Sequence, residues 1–170
     1  MHFLKNALNK FLLILLCLFL GCGDKSNQKK ALPQITDDWF SFAGKYARKP
    51  ITIRTNKRLK SVVGHKDLQH QVGIAVPILD PTKDGFPNAE EEVKLKKIEN
   101  ILVSELKESG LAVFACVITT NGIREFIFYT GNPKEAENSF KRIEESISTH
   151  TVQLNIQKDK KWMVYKIFSD

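Results

Sequence analysis

Cysteine is scarce in this chain: Cys17, Cys22 and Cys116 are the only three in 170 residues. With Cys17 and Cys22 assigned to the N-terminal segment considered below, Cys116 has no intrachain partner. A disulfide framework is excluded, and a packed core must hold the fold. Long apolar runs are also missing. The run Phe11–Leu20 is ten residues long, short of the roughly 20 that cross a bilayer as a helix. There is no Gly-x-Ser-x-Gly elbow for a serine nucleophile. No glycine-rich loop opens a helix to cradle phosphate. His65 and His70 lie five apart, and neither they nor His150 has a cysteine or acid at a ligand spacing, so neither a metal nor another cofactor is expected. Cys116 sits between apolar neighbours without a cation to stabilise a thiolate, and reads as a buried small hydrophobe.

The N-terminus carries positive information. Lys5 and Lys10 precede the apolar run, and Gly21-Cys22 follows it, the order of a secretory signal. Phe19-Leu20-Gly21-Cys22 resembles the lipobox of bacterial lipoproteins, in which cleavage precedes an acylated cysteine; Phe19 stands where that box usually has Leu. The resemblance implies a signal peptide over 1–21 and a covalent lipid (diacylglyceryl plus an N-acyl chain such as palmitate) on Cys22. It also implies a protein anchored to a membrane of the cell envelope, facing the periplasm or exterior. Two chains suffice for stable attachment. Residues 22–36 are polar, contain Pro33, and read as a tether. Of the formal charge of +7, Lys5 and Lys10 supply two, leaving +5 beyond the leader. The basic residues are scattered, with small clusters at Lys29-Lys30, Lys57-Arg58-Lys60 and Lys158–Lys161. That suits proximity to anionic lipid and gives no basis for a nucleic-acid groove.

The folded domain is expected over 37–170, organised around Leu111–Thr130. Asn121-Gly122 between two β-rich runs predicts a type I′ hairpin. It pairs Thr120 with Ile123, Val117 with Phe126, Cys116 with Ile127 and Ala115 with Phe128. Both faces of this hairpin are apolar, so it should lie centrally, covered on two sides. Trp39, Phe40 and Phe42 open a first strand or turn that packs inward, Lys45–Pro50 reads as a loop, and Ile51–Thr55 alternates as a strand. Lys57–Gln69 has no period and reads as loop. Val72, Ile74, Val76 and Ile78 alternate, and Pro77 places the end of that strand at a sheet edge. Asn88 with Glu91 forms a capping-box pattern before the stripe Leu95, Ile98, Leu102, Leu106, which Gly110 closes. Asn132-Pro133 starts a second helix with the stripe Ala136, Phe140, Ile143, Ile147. Val152, Leu154 and Ile156 alternate as a last strand, and Trp162, Tyr165 and Phe168 form an aromatic lid. The order strand-helix-strand-strand-helix-strand predicts an α+β fold: a ferredoxin-like antiparallel sheet with two helices on one face, plus an N-terminal strand or hairpin extension.

Four short motifs run through this domain: Trp39 in the opening strand, Asp84-Gly85-Phe86-Pro87 before a Glu-rich helix, Arg124–Tyr129, and the closing Asp159-Lys160-Lys161-Trp162. In these the chain, over Asp37–Phe168, resembles the bacterial family catalogued as domain of unknown function 695. Two lysines stand inside the closing motif where the family more often has a further acid. The resemblance implies the α+β fold and carries over no catalytic residue.

Arg124, Phe126 and Phe128 share one sheet face, and Ile123, Ile127 and Tyr129 the other. The candidate binding surface is Trp39, Arg124, Phe126, Phe128, Tyr129 and Trp162, with Arg124 paired to an acid such as Asp159. An aromatic face with an arginine is shared with RNA platforms, but an export signal and the lack of the RNA-binding signature argue against nucleic acid. The leading expectation is a non-catalytic module for an envelope protein or other partner, with no polar cleft of clustered titratable groups. Its alternatives are a homodimer through the open sheet face, and an envelope hydrolase using the Asp80–Pro87 loop with His65 or His70 near Asp84. Glu90-Glu91-Glu92 read as dipole-complementing residues of a helix first turn.

Overall fold

The computed structural model describes residues 35–169. The leader, Cys22 and most of the tether lie outside them. Six strands form one antiparallel sheet: β1 (Trp39–Tyr46), β2 (Lys49–Asn56), β3 (His70–Pro77), β4 (Ala112–Thr120), β5 (Ile123–Thr130) and β6 (Gln153–Lys158). Their spatial order is β1-β2-β4-β5-β3-β6. Three α-helices accompany them: α1 (Ala89–Leu102), α2 (Pro133–Ser146) and α3 (Met163–Ser169).

The β4–β5 hairpin occupies the middle of the sheet, as its two apolar faces require. On one face Val117, Phe126 and Phe128 join Val72, Ile74 and Val76 under the stripes of α1 and α2, whose Leu95, Ile98, Leu102, Phe140 and Ile143 are buried there. On the other face Ala115, Cys116, Ile127 and Tyr129 are sealed by Leu59, Leu68, Trp162 and Tyr165. The C-terminal aromatics therefore cover the Ile127/Tyr129 face. Each fully buried Leu or Phe contributes about 1.5–3 kcal/mol by leaving water, and the two clusters lock the sheet from both sides.

Both helices begin as the sequence predicts. The Asn88 side chain accepts a hydrogen bond from the Glu91 N–H, and that of Asn132 accepts one from the Glu135 N–H, with Pro133 in the first helical position. The capping box is only half made. Glu91 turns inward and accepts from the Leu79 N–H at 2.8 Å. After α1 the chain continues through a π turn, Val103–Glu108, and leaves by Gly110 at φ 72°.

Several readings are corrected. β1 and β2 form a hairpin whose two-residue turn is Ala47-Arg48, where a six-residue loop was expected. Both turn residues have positive φ, 46° and 68°, the type I′ conformation without the residues that usually mark it. Phe40 and Phe42 are exposed, not packed inward, because β1 is the sheet edge. Lys57–Val62 is a 3₁₀ helix, capped by the Asn56 side chain, that buries Leu59. Ala115 does not pair with Phe128: a bulge between Phe114 and Cys116 sets Phe114 opposite Phe128, while the other three pairs stand as predicted. Pro77 does lie at a sheet edge as expected, although β3 itself lies between β5 and β6. β6 reaches only to Ala75, so the missing donor of Pro77 faces no partner there.

The Asp80–Pro87 loop docks on the turn of the central hairpin. The Gly122 N–H donates to the Gly85 carbonyl at 3.0 Å, and the Ile78 N–H to the Gly122 carbonyl at 2.8 Å. Gly85 has φ +82°, and a Cβ there would meet the Gly122 nitrogen at 2.9 Å. Only glycine fits both the conformation and the approach.

Candidate functional site

The parity of β2 builds a cleft lined largely by polar side chains. Ile51 and Ile53 point away from the helices, whereas Thr52 and Arg54 stand on the helix side, Arg54 opposite Val117. The helical layer stops at α1, so these polar residues face a cleft of about 190 Å³. Its other walls are Ser41 of β1, Thr119 of β4, Arg124 of β5, and Glu92, Lys96 and Glu99 of α1. This corrects the expectation that no polar cleft with clustered titratable groups would exist.

The charges in the cleft are spent on one another. Arg124 donates from both terminal nitrogens to the two carboxylate oxygens of Glu92, each at 2.8 Å, and from Nε to Thr119 Oγ1 at 2.9 Å. That hydrogen bonding holds the Glu92 carboxyl below its usual range, with partial burial working against it. Arg54 pairs with Glu99, which also accepts from Lys96 at 2.6 Å. The Arg54 guanidinium lies 4.9 Å from the Trp39 ring centre, a cation–π contact. The arrangement ties α1 to β2, β4 and β5. Both of its carboxylates are engaged by cations.

A second polar group lies in the interior. Glu91 and His150 are both buried, with His150 Nε2 2.9 Å from Glu91 Oε1. The Leu79 N–H donates to the same oxygen, and Nδ1 of His150 lies 3.0 Å from Thr149 Oγ1. Burial alone would raise the Glu91 carboxyl; the hydrogen bonds from His150 and Leu79 outweigh it and hold it low. The sequence pattern places Glu91 as a capping-box and dipole-complementing acid of the helix first turn. Nothing in its spacing to His150, 59 residues away, could have joined them.

The six residues proposed as a binding surface do not form one. Phe126 and Phe128 are fully buried beneath the helices, with Phe114 stacked on Phe128 at 4.5 Å. Trp39 is half-buried on that same side, edge-on to Phe114 at 4.9 Å. Tyr129 and Trp162 belong to the opposite face, stacked at 3.8 Å and both buried. The Trp162 N–H donates to the Leu68 carbonyl at 2.8 Å, and the Tyr129 hydroxyl to Asp159 at 2.9 Å. Burial, then the Asp159 charge, pushes the Tyr129 phenol up. Arg124 therefore pairs with Glu92, not Asp159, which lies on the other face and at the other end of the sheet. Cys22 lies outside the described residues.

Other candidates are kept apart by the fold. His70 and the Asp80–Pro87 loop stand at opposite ends of β3, about 20 Å apart along the strand, so the constellation required of a hydrolase does not assemble. His65 is 4.0 Å from Asp67. Burial first, and the Glu125 charge second, push the Cys116 thiol well above its ordinary range, which leaves it unreactive. Among the described residues no three His, Cys, Asp or Glu side chains are grouped to hold a metal ion, and no helix is long and apolar enough to cross a membrane.

No curated protein and no solved structure matches the chain. One family profile does, over residues 37–168, which takes in every strand and nearly all of the last helix. The chain belongs to that family, a family of unknown function (DUF695).

Proposed function

We propose that this chain is a membrane-anchored lipoprotein of the bacterial cell envelope whose single α+β domain is a non-catalytic binding module. The observation that carries the binding reading is the state of β1. Seven of its eight residues are exposed, and on its side away from the helices Phe40, Phe42 and Tyr46 are 47%, 41% and 65% exposed. An exposed edge strand with an aromatic stripe is a surface that proteins normally blunt or cover. The polar cleft, which this reading did not anticipate, is compatible with it because its carboxylates are already paired with arginines and a lysine. The fold is read as ferredoxin-like, with β1–β2 as an N-terminal hairpin extension. Supporting this are the chain order β3-α1-β4-β5-α2-β6, the spatial order β4-β5-β3-β6, and both helices on one face.

The anchor is inferred from Lys5, Lys10, the ten-residue apolar run and Gly21-Cys22. It is tested by intact mass and fractionation beside a Cys22→Ser variant. Loss of residues 1–21 with a gain of acyl mass is expected for the native chain alone; identical mass and partitioning of the two would overturn the anchor. Binding through β1 is tested by amide exchange in native envelopes and after detergent extraction. Slow exchange that becomes fast on extraction is expected, and equal rates in both states would count against it.

A further inference from the structure

We infer that the face formed by the aromatic side of β1 and the outer side of α3 is a docking surface for an anionic lipid bilayer. The inference deepens the binding reading above and rests on it. Phe40 and Phe42 stand beside the C-terminal end of α3, and together with Thr55, Lys57, Lys60, Ile167 and Phe168 they line an open groove of about 490 Å³. α3 is held against β2 by the Thr55 hydroxyl, which donates to the Phe168 carbonyl at 3.3 Å, and by the buried Tyr165, whose hydroxyl donates to the Asn56 carbonyl at 2.9 Å. With Tyr165 turned inward, Met163 and Ile167 are left 55% and 65% exposed. Phe40, Phe42, Tyr46, Met163 and Ile167 are thus five large apolar side chains presented on one side of the domain by two elements that pack on the same strand.

The stretch that builds the β1 side of this face carries charge of one sign. Between Asp38 and Asp67 the chain carries eight Lys and Arg and no Asp or Glu. Arg54 is turned into the cleft, and the other seven are exposed. Lys57 Nζ lies 3.9 Å over the Phe40 ring, so cation and aromatic are presented together, the pairing that suits the headgroup region of a bilayer. Asp37 and Asp38, which precede this stretch in the sequence, are engaged: Lys107 reaches Asp37 at 2.6 Å, and Arg58 lies 3.9 Å from Asp38.

This charge selects the occupant. Two copies meeting along β1 would set these cations against one another, so a second copy is disfavoured. An anionic surface gains from them, by about fivefold in binding for each basic residue close to it. Geometry favours lipid over an acidic protein. Cys22 precedes Trp39 by seventeen residues, and a chain of that length cannot extend beyond about 60 Å. A lipid on Cys22 therefore keeps β1, the first element of the domain, within reach of the bilayer at high effective concentration.

The test uses the processed full chain with Phe42→Trp, floated on vesicles whose acyl chains carry bromine as a contact quencher. Trp39 and Trp162 supply the background, measured on the unaltered chain. On phosphatidylglycerol vesicles the added fluorescence should be quenched, and on phosphatidylcholine vesicles it should not, although the protein floats with both. Raised salt should release the quenching, and Lys57→Gln should lower the docked-to-undocked ratio about fivefold. Flotation on both lipids without quenching on either would overturn the docking face and leave the anchor standing. Failure to float on phosphatidylcholine, with quenching retained on phosphatidylglycerol, would remove the anchor and keep the face. An emission shift that grows with protein concentration without lipid, or one produced by poly-glutamate and not by phosphatidylglycerol, would replace the bilayer with a second copy or an acidic protein.

Discussion

Glu91 stands in the first turn of α1 among three consecutive acids, and each meets a different partner. Glu90 pairs with Lys94 at 2.8 Å on the surface, Glu92 with Arg124 at the cleft, and Glu91 with His150 in the interior. Only the last is buried on both sides. Its oxygen joins the start of α1, the backbone after β3 at Leu79 and the segment before β6. Removing it leaves the buried His150 imidazole without this partner, at about 1–3 kcal/mol for a buried orphaned group, and frees the Leu79 N–H. Glu91→Leu should therefore lower the denaturant midpoint with little change in slope. The folded protein holds this carboxyl below its ordinary value, so folding favours the carboxylate. The contribution is complete above the ordinary glutamate value of about 4.3 and is lost as pH falls through the lower folded value. Stability measured from pH 6 down to pH 3 should fall less steeply in Glu91→Gln than in the native chain; parallel curves would show that this carboxylate is not linked to folding. Cys116, fully buried with its thiol pushed up by burial, should resist a maleimide in the native state and react only as the protein unfolds.

The two hairpins show what is legible at the scale of an element. Asn121-Gly122 adopts φ 50° and 78° with the residues that tolerate those values best, and the sequence announced both the turn and three of four pairings. Ala47-Arg48 adopts the same conformation, with φ 46° and 68°, and gave no sign of it. The rest of the sheet holds them there: eight residue pairs close β1 on β2, and β2 is fixed by β4. A left-handed backbone costs a residue with a Cβ roughly 1–2 kcal/mol, so Ala47→Asn with Arg48→Gly should raise the melting temperature. A fall would mean that the Arg48 side chain holds the turn by a contact of its own. The bulge between Phe114 and Cys116 was illegible for a related reason. It changes which residues oppose one another without altering the apolar run, so both registers read alike in the sequence. Helix starts fared better because they depend on local chemistry. Asn88 and Asn132 each cap the N–H three residues on, and Asn88→Ala should cost about 1 kcal/mol.

At the scale of the whole molecule, the apolar alternation and the two helical stripes determined most of the core, while the functional surfaces depended on which face each residue reached. Phe126, Phe128, Tyr129 and Trp162 were singled out because aromatics on a sheet can bind; the same aromatics, once layers close over both faces, are the core. Arg54 and Glu99 were missed because their pairing spans 45 residues, although the polar parity of Thr52 and Arg54 against Ile51 and Ile53 held the signal that the layer of α1 and α2 does not cover that face of β2. The second face depends on the segment 159–169. Trp162 bridges the whole arrangement: it stacks on Tyr129, meets Tyr165 edge-on at 5.6 Å, and donates to Leu68. It does so from φ 55°, a conformation that a bulky residue keeps only when its surroundings fix it. Trp162→Ala would open a cavity against Cys116 and Ile127 and should cost about 3–5 kcal/mol, a large share of the roughly 5–15 kcal/mol that stabilises a domain. Tyr129→Phe keeps the stack and loses the hydroxyl's hydrogen bonds to Asp159 and to the Tyr165 backbone, so it should cost about 1 kcal/mol for each. Denaturant unfolding of the two variants separates the roles. A Trp162→Ala loss no larger than that of Tyr129→Phe would mean that α3 rests on the sheet without sealing it, and that the Ile127/Tyr129 face is open to another occupant.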